Sequence, residues 1–302
     1  MNDYFQQNIR FYFPPDKAGV VMALRAYVDG SVRSNNLICV AAISYGFSGA
    51  KKASAEWSKL FGDKVCHMTD LNAKKKDFKD ISSQEASYYI VEAVKIINKH
   101  AKFIATASFD MNEISEYLPR EAYRKHTKAL LNGFATPYAL ACHSVMYAIA
   151  QNTTGNLSYV FEAGDEGQKA AKKFLEYLRF DNYGSPILDF YRLGSVVYDS
   201  KDGSHVLLQS ADILAWEWAK NIDRIRSGKK VRKSLDAILE GTPIIRLTSG
   251  GYLARGKEVE ACHFSGEGFT NILKQMSHLL SAKTVDEVNA VRANSDMVLS
   301  QS

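Results

Sequence analysis

The stretch "ALRAYVDGSVRSNNLICVAAISY", Ala23 to Tyr45, decides how the chain is read. It is β-rich and apolar as far as Asp29, "GSVRSNN" has the composition of a turn, and "LICVAAISY" is a second unbroken apolar run. Short runs rich in β-branched and aromatic residues, separated by Gly, Ser and Asn, predict two buried strands joined as a hairpin. A sheet begins here, and Asp29 closes its first strand.

Working outward, "GAKKASAEWSKLFG" suits a short helix and "DKVCHMTDL" a further short strand or loop. "SSQEASYYIVEAVKIINKH" has helical apolar spacing with Ser82 or Ser83 as its cap, and "FIATASFD" is a strand. From Arg120 to Gln151 a long apolar face predicts an inserted helical region that Gly133 and Pro137 kink or break. "LSYVFEAGDEG" is a strand ending in acids, "QKAAKKFLEYLR" an amphipathic helix, "DFYRLGSVVYD" a strand or two short ones, and "SADILAWEWAKNIDRI" a helix. Beyond it the pattern is a helix, the turn-rich "SGGYLARGKE", and two terminal helices, the last with a Thr284–Glu287 capping box. With no repeat or Pro/Gly-rich linker, the 302 residues read as one elaborated α/β unit, its core at about 22–226 and a helical C-terminal addition at about 230–302.

The composition, 46% hydrophobic and 24% charged, is that of a folded protein, and no apolar run is long enough to span a bilayer, so no membrane partner is expected. The first residues, "MNDYFQQNIRFYFPP", have neither a basic flank nor an apolar stretch, so a cytoplasmic location is expected. Cys39, Cys66, Cys142 and Cys262 have no zinc-ligand spacing and read as reduced, buried thiols. A net charge of +5 permits a nucleic-acid partner without requiring one.

Three acids share one context. Asp29 closes the first strand, Glu162 closes "LSYVFE", and Asp212 lies at the start of a late helix, with Asp165 close behind Glu162. In a mixed α/β sheet, strand ends and helix starts gather on one edge, where ligands bind. Carboxylates brought together repel, and a hard divalent cation, Mg²⁺ or Mn²⁺, relieves that repulsion and can activate water against a phosphodiester. Gln209, three residues before Asp212, shares its helix face and can orient the carboxylate or a water. Each acid also has a plainer reading: Asp212 favours the helix dipole, Asp29 ends a strand, and Glu162 with Asp165 forms a solvated acidic loop.

"YVDGS" and "LLQSADILAW" resemble the two signature regions, an Asp-Glu pair after the first strand and a Q-x-x-D motif, of the prokaryotic family catalogued as domain of unknown function 3800. The likeness runs loosely from about Leu24 to Arg226. It implies a ribonuclease H-like mixed sheet flanked by helices, with acids from the first strand, a middle strand and the last helix holding metal ions for phosphodiester chemistry. On this chain those acids are Asp29, Glu162 and Asp212, with Gln209 in support. The chain departs from the pattern at Gly30, where the family has Glu, so Glu162 or Asp165 must do more or catalysis is altered.

Lys74 to Lys76, then Lys169, Lys172 and Lys173, then Arg224, Arg226, Lys229, Lys230, Arg232 and Lys233 form basic clusters that suit either a phosphate-tracking surface or a solvated loop. Among the histidines His67, His126, His143, His205 and His263, the first stands out, three residues before Asp70 in a segment that approaches the sheet edge. No dinucleotide fold fingerprint, phosphate-cradling loop or nucleophile elbow is present. Two functions follow: a metal-dependent nuclease with an Asp29–Glu162–Asp212 site, or a non-catalytic nucleic-acid- or protein-binding member of the same fold that lost the full acid set at Gly30.

Overall fold

The computed structural model describes residues 24–32, 36–117, 136–163, 168–176, 190–202, 204–247, 250–281, 286–287 and 290–291. Asp165, His126, Gly133, the first part of the expected helical insertion and residue 284 of the expected capping box lie outside them.

The hairpin forms, with β1 (Leu24–Val32) antiparallel to β2 (Leu37–Tyr45). β1 does not end at Asp29: Gly30, Ser31 and Val32 pair with Val40, Cys39 and Ile38, because β2 is long enough to extend the ladder. β3 (Ala101–Asp110) pairs antiparallel with β2, while β4 (Leu157–Glu162) runs parallel to β1 and β5 (Leu193–Asp199) parallel to β4. The sheet has the order β5-β4-β1-β2-β3-β8-β7-β6. The carboxyl ends of β1, β3, β4 and β5 therefore share one edge.

Three of those strands fall where only helices and a turn are expected. β6 (Ile245–Arg246), β7 (Tyr252–Arg255) and β8 (Val259–Phe264) extend the sheet, with β8 parallel to β3, so the segment after residue 230 is not a purely helical addition. Their polar letters hide the strands. Glu260 and His263 are buried, Glu260 pairing with Arg255 at 2.8 Å and His263 bonding within the sheet, so neither breaks β8 as an exposed polar residue would suggest.

Helices cover both faces, as the unbroken apolar runs of β2 and β3 require. On one face lie α1 (Phe47–Phe61), α3 (Ser83–His100), α7 (Leu208–Arg226) and α8 (Lys233–Ile238). On the other lie α4 (Met111–Tyr117), α5 (Pro137–Gln151), α6 (Gln168–Glu176) and α9 (Gly266–Ser281). "DKVCHMTDL" forms neither strand nor plain loop but leads into a short helix, α2 (Met68–Ala73). Ser82 caps α3 in a full capping box with Glu85, and Pro137 opens α5 rather than breaking it, since its missing N–H is not needed at a helix start.

Candidate functional site: three carboxylates around one lysine

Strand alternation sends Tyr27 and Asp29 to the α7 face and Val28 and Gly30 to the α5 face. The β1–β4 register pairs Val28 with Phe161, so Asp29 and Glu162, each one residue further on, are neighbours on the α7 face. α7 crosses that face and brings Asp212 down onto them. Residues separated by as much as 183 positions in sequence thus meet at one point.

That point is an ammonium group. Lys201 Nζ lies 2.8 Å from Asp29 Oδ2, 3.2 Å from Glu162 Oε2 and 3.3 Å from Asp212 Oδ1. Its fourth neighbour is His67 Nδ1 at 3.3 Å, which accepts a hydrogen bond from it. The Lys201 side chain is 4% exposed and Asp29 is fully enclosed, whereas Glu162 keeps 18% of its side-chain surface and His67 keeps 37%. The cluster opens to solvent on the Glu162 and His67 side.

Burial pushes the Asp29 carboxyl well above the usual range; the Lys201 ammonium pulls it back, and the Asp212 and Glu162 charges push it up again. Glu162 responds in the opposite sense. Burial raises it, but a hydrogen bond from Asp29 and the nearby Lys201 ammonium more than offset this, so it is held below its ordinary value. Asp29 and Glu162 share a hydrogen bond and are shifted in opposite directions, Asp29 upward and Glu162 downward. Burial alone would discharge Lys201, but Asp212, Asp29 and Glu162 together keep it firmly protonated.

Gln209 is the joint of the site. Its Oε1 accepts from Trp57 Nε1 at 2.8 Å and from the Cys66 backbone N–H at 3.0 Å, while its Nε2 donates to the Lys201 carbonyl at 2.8 Å. One amide therefore pins both the segment that carries His67 and the one that carries Lys201. Asp212, one turn along α7, directs Oδ1 at Lys201 and accepts the Met68 backbone N–H on Oδ2 at 2.7 Å. The loop "DSKDGSH" is tied at its start, because Asp199 accepts from the Ser200 and His205 backbone N–H groups, from Ser204 Oγ and from His205 Nδ1 at 2.6 Å.

Lys201, Trp57 and Asp199 carry no motif that singles them out in sequence. The available signal is a lysine flanked by Asp199 and Asp202 in a polar loop just before the Q-x-x-D helix. Gly30 has a structural cause: a Cβ there would run into the ring end of Tyr138, so a larger residue would have to displace that ring.

The basic residues do not form one surface. Lys169, Lys172 and Lys173 are exposed on α6, and Lys229 and Lys230 are exposed after α7. Arg224 donates to the Lys230 carbonyl at 2.8 Å. Arg226 turns inward to Asp110 and Glu113 at 2.7 and 2.6 Å.

Three of the four groups around Lys201 are carboxylates, the chemistry a hard divalent ion takes, and the fourth is the His67 ring nitrogen, but their geometry is that of an ammonium cage. Among the described residues no group of three or more His, Cys, Asp and Glu side chains has metal-ligand spacing. The residues as arranged therefore do not fit a divalent ion together with Lys201.

No protein-family model and no curated protein matches the chain. Among solved structures, a chain of the PCNA–RNase HII complex from Archaeoglobus fulgidus is similar at 14% identity and a TM-score of 0.36, covering 72% of this chain and 87% of that one. Among the described residues, no helix is long and apolar enough to cross a membrane.

Proposed function

We propose that the Asp29–Glu162–Asp212 cluster is a nuclease-type site on a ribonuclease H-like sheet, acting on nucleic-acid phosphodiesters, in a chain related to the domain of unknown function 3800 family. One observation carries this reading: three carboxylates from a first strand, a later strand and a late helix converge within 3.3 Å of one buried point. Proteins seldom bury acids in excess of their cations, because every unmatched charge costs several kcal/mol of desolvation. Such clusters mark functional sites.

Charge also limits the reading. Three carboxylates against one ammonium leave the cluster negative even with a proton on Asp29, so an approaching phosphodiester is repelled until further positive charge arrives. The Mg²⁺ or Mn²⁺ that the resemblance implies would supply it. Glu162 and His67 are on the open side, so the scissile phosphate approaches there, with Gln209 holding both walls. The exposed lysines of α6 and those after α7 are the candidates for holding the nucleic-acid backbone.

The test is cleavage of labelled single- and double-stranded DNA and RNA in Mg²⁺ or Mn²⁺ by the wild type and by Asp212→Asn, with folding checked by circular dichroism. Cleavage by the wild type, lost in the variant, is expected. Retained cleavage by the folded variant removes Asp212 from the site. A second reading, a nucleic-acid- or protein-binding member without catalysis, is favoured by Lys201, which already supplies the acids with a cation, and by the crowded position at Gly30. It predicts binding that survives both chelation and Asp212→Asn.

A further inference from the structure

Lys201 is not a chance neighbour of the three acids. Its backbone carbonyl is fixed by Gln209 Nε2, and the loop before α7 is closed on Asp199 by four hydrogen bonds, so the fold directs this side chain into the cluster. Nζ then makes one contact to each carboxylate and a fourth to His67 Nδ1. A site built only to bind a divalent ion would gain nothing from a cation already at its centre. A site built only for stability would match one lysine with one acid.

We infer that Lys201 is an internal counter-cation that takes the place of a divalent ion in the Asp29–Glu162–Asp212 cluster, so that lysine and metal occupy it in exchange and never together. This rests on the metal-dependent reading of the site and adds a condition to it. The exchange needs no backbone change. The pinned group is the Lys201 carbonyl, while the flexible side chain ends within reach of the open Glu162 and His67 side. Once Nζ swings outward, the three carboxylates face one another with no cation between them, and their repulsion favours entry of a doubly charged ion. The displaced ammonium then lies on the side from which a phosphate approaches.

The test is Mn²⁺ binding by calorimetry to the wild type and to Lys201→Met, which keeps the length of the side chain and removes its charge. The variant is expected to bind Mn²⁺ about tenfold more tightly or better, since it no longer has to release an ion pair. It should also melt at a lower temperature without Mn²⁺ and recover with it. A second measurement uses the wild type alone: reductive methylation read by peptide mass spectrometry, with exposed Lys169 and Lys229 as internal controls. Lys201 is expected to resist methylation without metal and to react in millimolar Mn²⁺.

Equal Mn²⁺ affinity in the two proteins overturns the exchange and leaves the metal site standing. Lys201 that stays protected in Mn²⁺ overturns it even if the variant fails to fold. If neither protein binds Mn²⁺, the metal-dependent reading falls and takes this inference with it, an outcome distinct from equal binding. Binding only by Lys201→Met shows that the lysine blocks the site and does not yield it to the ion, which overturns the exchange.

Discussion

Two ionic clusters lie near the two ends of α7, and they are built on opposite arithmetic. Near its carboxyl end a single guanidinium, Arg226, meets Asp110 at 2.7 Å and Glu113 at 2.6 Å with separate nitrogens and donates to His263 Nε2 at 2.9 Å. Both terminal nitrogens of that fork have acceptors, the directional match that makes arginine a good structural cation. Near the amino end, roughly 21 Å away along the helix at 1.5 Å per residue, the single ammonium of Lys201 is shared among three carboxylates. The Arg226 cluster joins α7 to the ends of β3 and β8. The Lys201 cluster holds charge that its own cation does not balance, as a site does when stability is not its only purpose.

The largest expected effect comes from forcing a fourth acid onto the Lys201 end. Gly30→Glu would restore the letter that the resemblance expects, but position 30 faces α5, and its Cβ alone would run into the ring end of Tyr138. Overpacking together with a buried carboxylate should cost about 4 kcal/mol or more, read as loss of folding in urea. A folded, equally stable Gly30→Glu would show that the α5 face can accept the acid.

Acid should weaken the Arg226 end next. Burial, reinforced by the Arg226 charge, pushes His263 down to about 3. Because Nε2 accepts from Arg226, the proton sits on Nδ1 and is donated to Ser108 Oγ at 2.9 Å. The folded value lies below the unfolded one near 6.5, so the contribution is complete above about pH 6.5. It is lost as the pH falls toward 3, where the unfolded chain takes up the proton first; the loss reaches about 3 kcal/mol by pH 4. His143, buried beside Tyr191 and pushed down by burial to about 4, acts in the same direction. Urea midpoints between pH 7 and pH 4 should fall in the wild type and fall less in His263→Gln; equal slopes would place the acid sensitivity elsewhere.

Arg226→Ala follows in size. It leaves Asp110, only 9% exposed at its side chain, without its cation, and should cost about 2–3 kcal/mol after allowance for the quarter of the arginine that meets solvent. A loss below about 0.5 kcal/mol, the scale of a surface pair, would remove the distinction between joint and site.

How far these clusters could be read in sequence differs for physical reasons. Asp29, Glu162 and Asp212 stand out because each interrupts or ends an apolar run, and an acid at the border of a buried element needs a reason. The same patterning predicted the hairpin, α1, α3, β3 and β4, whose apolar spacing matches their burial. Lys201 did not stand out, because a lysine among Asp, Ser and Gly looks solvated and only tertiary contact turns it inward. β8 was hidden for the same reason: Glu260 and His263 look exposed but are paired in the core. Gln209 was legible as part of a motif, though its role as a clamp on two segments depends on Trp57, Cys66 and Lys201, distant in sequence from one another.

The smallest expected change in stability falls on the residue most deeply buried in the Lys201 cluster. Asp29→Asn keeps the shape of the side chain and the acceptor that receives the Gly30 N–H at 2.7 Å, while removing the possibility of a negative charge. Burial pushes the Asp29 carboxyl well above its ordinary range, so the folded state loses less when that charge is removed. Lys201 retains Glu162 and Asp212 as partners. Stability at pH 7 should therefore change by no more than about 1 kcal/mol, in contrast to Arg226→Ala, and a small gain is consistent with relieved repulsion. Urea denaturation of the two variants side by side makes the comparison. A loss on Asp29→Asn as large as that on Arg226→Ala would make the Lys201 cluster a structural joint as well, and the excess of acids would no longer argue for a site.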